Sequence, residues 1–213
     1  MYYRDLLQRL LYCIIDPVVR GMHALGITPN ILTTIGVLGN VGAAALLVGA
    51  TLTRPDEPGW LALSGGIILL FSLFDMMDGR LARLTGQSST FGAFYDSVTD
   101  RYSELVTLFA VAFCLDSHGD TAGTILTALA ITGSLMVSYT RARAEGLGVE
   151  CKVGLMQRPE RVVVTLLALI LTGLIPATPH FDPYCLLTAG MGLIALLANL
   201  TAIWRIIHVY RKV

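Results

Sequence analysis

The sequence predicts an all-α integral membrane protein, six transmembrane helices preceded by an N-terminal amphipathic surface helix, in a single domain over residues 1–213. Three observations predict it. Only 14% of the 213 residues are charged while 54% are hydrophobic, against about 25% charged in a soluble domain. The mean hydropathy is +0.68, concentrated in apolar runs close to the roughly 20 residues that cross a bilayer. The basic residues fall almost wholly into alternate connections, as they do in multi-pass proteins.

The first element spans residues 2–24. Leu6, Leu7, Leu10, Leu11, Ile14, Ile15 and Val18 recur at helical spacing, with Asp5, Gln8, Arg9, Asp16 and Arg20 on the other side. That pattern suits a helix lying on the membrane surface. The same charges interrupt any apolar core, so no removable signal peptide is expected. Six spans follow, at 31–53, 59–77, 94–115, 121–142, 160–178 and 184–207. In the first two, Gly36, Gly39, Gly42, Gly65 and Gly66 allow helix backbones to approach closely.

With these spans, fourteen of the fifteen Lys and Arg residues lie on one side, and only Arg54 lies on the other. The basic side is the cytoplasm by the positive-inside rule. Both termini are therefore expected in the cytoplasm of a multi-pass protein of the cell (plasma) membrane. Once the cations are assigned to loops no basic face remains, which excludes a nucleic-acid partner. The cysteines Cys13, Cys114, Cys151 and Cys185 form no CxxC pair, and the four histidines are scattered, so neither a disulfide framework nor a zinc site is indicated.

Asp75, Asp78, Asp96 and Asp100 stand at the cytoplasmic ends of the second and third spans. Ionised groups at the edge of hydrocarbon are costly and usually functional. Asp75 and Asp78 are three residues apart, and Asp96 and Asp100 four apart, so each pair shares a helix face. The polar stretch from Thr85 to Thr90 lets the chain reverse and brings the two faces together. Four crowded carboxylates repel unless cations lie among them, and an all-oxygen set favours hard ions such as Mg2+ or Mn2+. Two such ions suit a diphosphate. Gly79 leaves room for a ligand beside the helix backbone, and Arg83 offers a fork to phosphate. Structural ion pairing with nearby arginines explains a single aspartate more easily than the whole array.

The segment from Asp75 through Gly79, Ala82 and Arg83, then eight residues, then Gly92, Asp96 and Asp100, resembles the motif of the CDP-alcohol phosphotransferase family, DxxDGxxARx8GxxxDxxxD, at every fixed position and gap. The resemblance implies a homodimeric six-helix enzyme with its site open to the cytoplasm. It implies that Asp75, Asp78, Asp96 and Asp100 bind the metals and that Asp100 is the general base. It assigns Asp75, Asp78, Gly79, Ala82 and Arg83 to the CDP-lipid, either CDP-diacylglycerol or CDP-archaeol. The stretch from Thr28 to Thr33 looks like the family's approach to its first span; Asn30 and Thr33 there either contact the nucleotide or simply begin the helix. The implied reaction is attack of an acceptor hydroxyl on the lipid-side phosphorus, releasing CMP.

Arg141, Arg143, Lys152, Arg158 and Arg161 crowd the connection between the fourth and fifth spans. A neutral polyol needs few cations, so a phosphorylated acceptor is indicated, although membrane orientation alone explains part of this charge. The pattern resembles the phosphatidylinositol-phosphate synthase branch, whose acceptor is inositol 1-phosphate. Ser138, Arg141 and Arg161 match its acceptor-phosphate positions, with Arg205 a weaker match. The product implied is phosphatidylinositol phosphate. The competing readings are a phosphatidylglycerophosphate synthase using glycerol 3-phosphate and, more distantly, a divalent-cation transporter.

Overall fold

The computed structural model describes residues 15–213, and they are almost entirely helical. α1 covers residues 15–24. It is followed by α2 (Pro29–Thr53), α3 (Gly59–Thr85), α4 (Thr90–Ser117), α5 (Thr121–Glu145), α6 (Arg158–Leu174) and α7 (Tyr184–Tyr210). The expected surface helix at 2–24 lies outside the described residues up to position 14.

Local chemistry explains the helix boundaries. Thr28 caps α2 by accepting from the Ile31 N–H at 3.4 Å, and Pro29 supplies a preset first turn. α3 runs past its expected span to Thr85, where Gly86 at φ 67° adopts the left-handed conformation that ends a helix without a Cβ clash. Three residues later Ser89 caps α4, its hydroxyl accepting from the Gly92 N–H at 2.9 Å. The reversal expected between Thr85 and Thr90 is thus a left-handed glycine followed at once by an N-cap. α6 stops at Leu174, short of the expected 178, with Pro176 two residues beyond.

The main helix contacts close a ring in the order α2, α3, α6, α7, α5, α4 and back to α2. Small residues set the spacing. A Cβ on Gly39 would fall 2.1 Å from the Phe71 ring, and one on Gly173 2.3 Å from the Ala62 nitrogen, so neither contact admits a side chain. The ring encloses Ala43, Leu47, Leu108, Val111, Leu169, Met191 and Ile194. A second, smaller cluster of Ile15, Val19, Leu32, Met77 and Leu81 docks α1 against α2 and α3. Asp16 reinforces it with a two-pronged pair to Arg80, both contacts at 2.7 Å.

Large apolar side chains such as Leu38, Leu52, Ile125 and Leu196 face outward, the inverse of a soluble bundle. By length and composition α2, α3, α5 and α7 suffice to cross a membrane. α4 and α6 differ for visible reasons. Asp96, Asp100, Arg101 and Glu104 interrupt α4, while α6 has 17 residues and opens with Arg158, Glu160 and Arg161. The charge that weakens their apolar signal is the charge that builds the site.

Candidate active site

The end of α3 and the start of α4 meet through the Gly86–Ser89 reversal, so two acidic stripes separated in sequence face one another. Oxygens of Asp75, Asp78 and Asp96 all lie within 4.8 Å of each other. Asp78 is buried, and the hydroxyl of Thr33 on α2 donates to its Oδ2. The Thr34 hydroxyl lies 2.9 Å from the Tyr95 hydroxyl and ties α2 to α4 beside the same acids. Three close carboxylates with no amine or thiol among them fit a hard divalent cation, whose charge offsets their mutual repulsion.

Asp100 stands one turn further along α4 and joins the group through an arginine. Arg158, at the start of α6, places Nη1 2.5 Å from Asp75 Oδ2 and Nη2 2.7 Å from Asp100 Oδ1. The structural ion pairing weighed against metal binding is therefore real for two of the four aspartates. One turn along both helices, Arg161 holds Glu104 in a two-pronged pair at 2.5 and 2.9 Å and donates to the Met156 carbonyl at 3.3 Å.

Beside the acids opens a cavity of about 620 Å³. Six of the residues assigned above to the CDP-lipid line it: Asn30, Thr33, Asp78, Gly79, Ala82 and Arg83. Asp96 and Gly92 complete the motif's contribution, while Asp75 and Asp100 stand on the Arg158 side. A Cβ on Gly79 would lie 3.6 Å from the Arg83 guanidinium and take up cavity space. One on Gly92 would meet Ser89 Oγ at 3.0 Å and Asn30 Oδ1 at 3.3 Å, so that glycine lets the starts of α2 and α4 converge. The cavity joins a two-carboxylate edge, a guanidinium and open helix backbone, a combination suited to a phosphate bridged by cations.

The residues expected at an acceptor phosphate are placed less uniformly. Arg205 donates to the Val137 carbonyl one turn before Arg141, and Arg161 donates to the carbonyl of Met156, whose N–H donates to Thr201 one turn before Arg205, so these three cations converge. Each also has a partner within the protein. Arg141 pairs with Glu145 at 2.8 Å, Arg161 with Glu104, and Arg205 donates to the carbonyls of Val137 at 2.5 Å and Val153 at 2.8 Å. Arg161 and Arg205 are each 2% exposed, so presenting their forks to a phosphate requires these contacts to exchange. Ser138 lines a separate, largely apolar groove between α4 and α5 with Phe94, Tyr102 and Tyr139.

Sequence reasoning counted Arg158 among the acceptor-side cations without placing it at the aspartates, and it missed Glu104, along with Gln87, Ser88 and Ser89 on the cavity wall. A signal existed for the arginines. Cations are disfavoured at a helix N-terminus by the aligned peptide dipoles, so Arg158 and Arg161 in the first turn of α6 call for carboxylate partners elsewhere.

The family profile described as CDP-alcohol phosphatidyltransferase matches residues 26–207. The phosphatidylinositol phosphate synthase of Cutibacterium acnes is 30% identical over 203 residues, covering 93% of each chain. Crystal structures of the Mycobacterium tuberculosis phosphatidylinositol phosphate synthase superpose at 30% identity. The form with CDP-DAG bound gives a TM-score of 0.79 over 92% of this chain and 94% of that one. The complex with manganese and citrate gives 0.80 over 92% and 88%.

Proposed function

The chain belongs to the CDP-alcohol phosphatidyltransferase family, and from that premise we propose that it transfers a phosphatidyl group from CDP-diacylglycerol to a hydroxyl of inositol 1-phosphate, giving phosphatidylinositol phosphate and CMP. The observation that carries the reading is the shared wall: Asp78 and Asp96 belong both to the acidic cluster and to the 620 Å³ cavity. A CDP-archaeol donor would present the same headgroup chemistry.

Two divalent ions, Mg2+ or Mn2+, bound among Asp75, Asp78, Asp96 and Asp100 would supply positive charge to the diphosphate and the departing CMP. The remaining work belongs to the chain. Gly79 and Ala82 let the diphosphate approach α3, and Arg83 offers it a two-pronged hydrogen-bonding partner. Thr33 fixes the Asp78 carboxylate through its hydroxyl. Asp100 takes the proton of the attacking hydroxyl as its oxygen bonds to the lipid-side phosphorus and the bond from that phosphorus to the CMP oxygen breaks. Arg141, Arg161 and Arg205 set the preference for a phosphorylated acceptor. Binding that acceptor exchanges the Glu145, Glu104 and carbonyl contacts for phosphate oxygens.

In this reading six helices span the cell membrane and α1 lies along its surface. α4 and α6 support it with outward apolar residues such as Phe109, Leu167 and Leu171. The 17 residues of α6 rise about 26 Å at 1.5 Å each, close to the hydrocarbon thickness of roughly 30 Å. The site and both termini face the cytoplasm. The exposed aromatic groove between α4 and α5 supports a homodimer; light scattering on the purified enzyme that gave a single 22.9 kDa chain would contradict it.

The assignment is tested by supplying purified protein with CDP-diacylglycerol, Mg2+ and either inositol 1-phosphate or glycerol 3-phosphate. Faster CMP release with inositol 1-phosphate is expected. Preference for glycerol 3-phosphate would replace the acceptor and leave the metal site standing.

A further inference from the structure

The acidic stripes account for four aspartates but not for the guanidinium among them. Arg158 enters from α6, the third helix at the site, and contacts one acid on α3 and one on α4. Its fit is incomplete. Although its Nη2 is 2.7 Å from Asp100 Oδ1, that contact lies off the hydrogen-bond line, and both Asp100 Oδ1 and Arg158 Nε are buried without an aligned partner. The neighbouring pair provides an internal standard. Arg161 and Glu104, one turn along the same two helices, meet fork to fork with two aligned bonds. A guanidinium matched to a single carboxylate resembles Arg161. Arg158 straddles two carboxylates and completes its fork with neither.

We propose that Arg158 is a stand-in cation: it neutralises Asp75 and Asp100 in the metal-free protein and is displaced from both when divalent ions take those carboxylates. The proposal rests on the metal reading above. Its physics is competition for the same oxygens. Without any cation the four acids repel across a partly dry site. With a divalent ion present, Arg158 meets a like charge and loses its partners. The displaced side chain stays beside Arg161, with which it lines one small space. Metal loading therefore frees a cation beside Arg161, and by linkage an anion bound to the pair must tighten the metal in return.

The test is direct Mn2+ binding to purified wild type, R158Q and R158K, read from the electron paramagnetic resonance signal of free Mn2+, with melting of each protein in EDTA and in saturating Mn2+. Removing the competitor should lower the Kd for Mn2+ at least threefold in R158Q. It should lower it at least twofold in R158K, whose single ammonium reaches one carboxylate at a time. In EDTA R158Q should melt below wild type, and saturating Mn2+ should close the gap. Unchanged or weaker Mn2+ binding in both variants, or a melting gap equal with and without Mn2+, overturns the proposal. If R158Q does not fold, the Kd of R158K decides alone. Absence of Mn2+ binding by wild type would instead remove the metal site, and this inference with it.

Discussion

Asp100 shows at the scale of one residue how position selects a role. It shares a helix face with Asp96 but lies beside Arg158, away from the cavity edge formed by Asp78 and Asp96. That location suits a group that accepts a proton more than one that only anchors a phosphate. Asp100→Asn is expected to cut CMP release by about 10²-fold or more, the range for losing a general base, with the protein still folded and monodisperse. Turnover within a few-fold of wild type would remove Asp100 from that role. The four aspartates, Gly79 and Arg83 were legible because helix periodicity alone puts them on common faces. The pairings made by Arg158, Glu104 and Thr33 were not. Their contacts join residues 45 to 83 positions apart, and no local spacing encodes a pairing that depends on which helices become neighbours.

At the scale of elements, the end of the bundle away from the acids is fixed by caps and polar ties. Asp120 caps α5 by accepting from the Gly123 N–H at 2.8 Å, and it also accepts from the Thr188 hydroxyl on α7. The Thr188 bond, with help from the Gly123 N–H, holds the Asp120 pKa below the usual carboxylate value. A depressed carboxylate stabilises the fold above its unfolded pKa, near 4, and that stabilisation disappears as the pH falls through the folded value. Wild type should therefore lose melting temperature as the pH falls below about 4 more steeply than Asp120→Asn, compared by thermal denaturation in the same detergent. Parallel curves would detach Asp120 from the acid sensitivity of the fold. The helices themselves were legible to within a few residues from apolar runs and capping residues. α3 outran its expected span because the motif turn after the apolar run is still helical, and hydropathy marks where a helix leaves the lipid, not where it ends.

For the whole molecule, the ring order α2, α3, α6, α7, α5, α4 was not legible. Apolar runs of similar composition do not specify which neighbours they choose, and the choice rests on close approaches such as Gly39 on Phe71 and Gly173 on Ala62. The separation of charge between the two ends of the bundle was legible, because cations resist crossing. Every arginine that reaches the acidic site sits at one end of the ring, with Arg54 at the other beside Trp60. Cys185, exposed at the start of α7, belongs to the end with Arg54. A membrane-impermeant thiol reagent applied to intact cells should label Cys185 from outside. Protection in intact cells with labelling only after permeabilisation would invert the proposed topology.

The central claim is that two helices pool their carboxylates to hold divalent ions against a CDP-lipid diphosphate. A crystal structure of this protein with Mn2+ and CDP-diacylglycerol, with anomalous scattering recorded for manganese, tests it most directly. The account predicts manganese peaks among the oxygens of Asp75, Asp78, Asp96 and Asp100, with the diphosphate in the cavity beside Gly79 and Arg83. Bound nucleotide with no manganese between these side chains, or manganese held elsewhere, would contradict it.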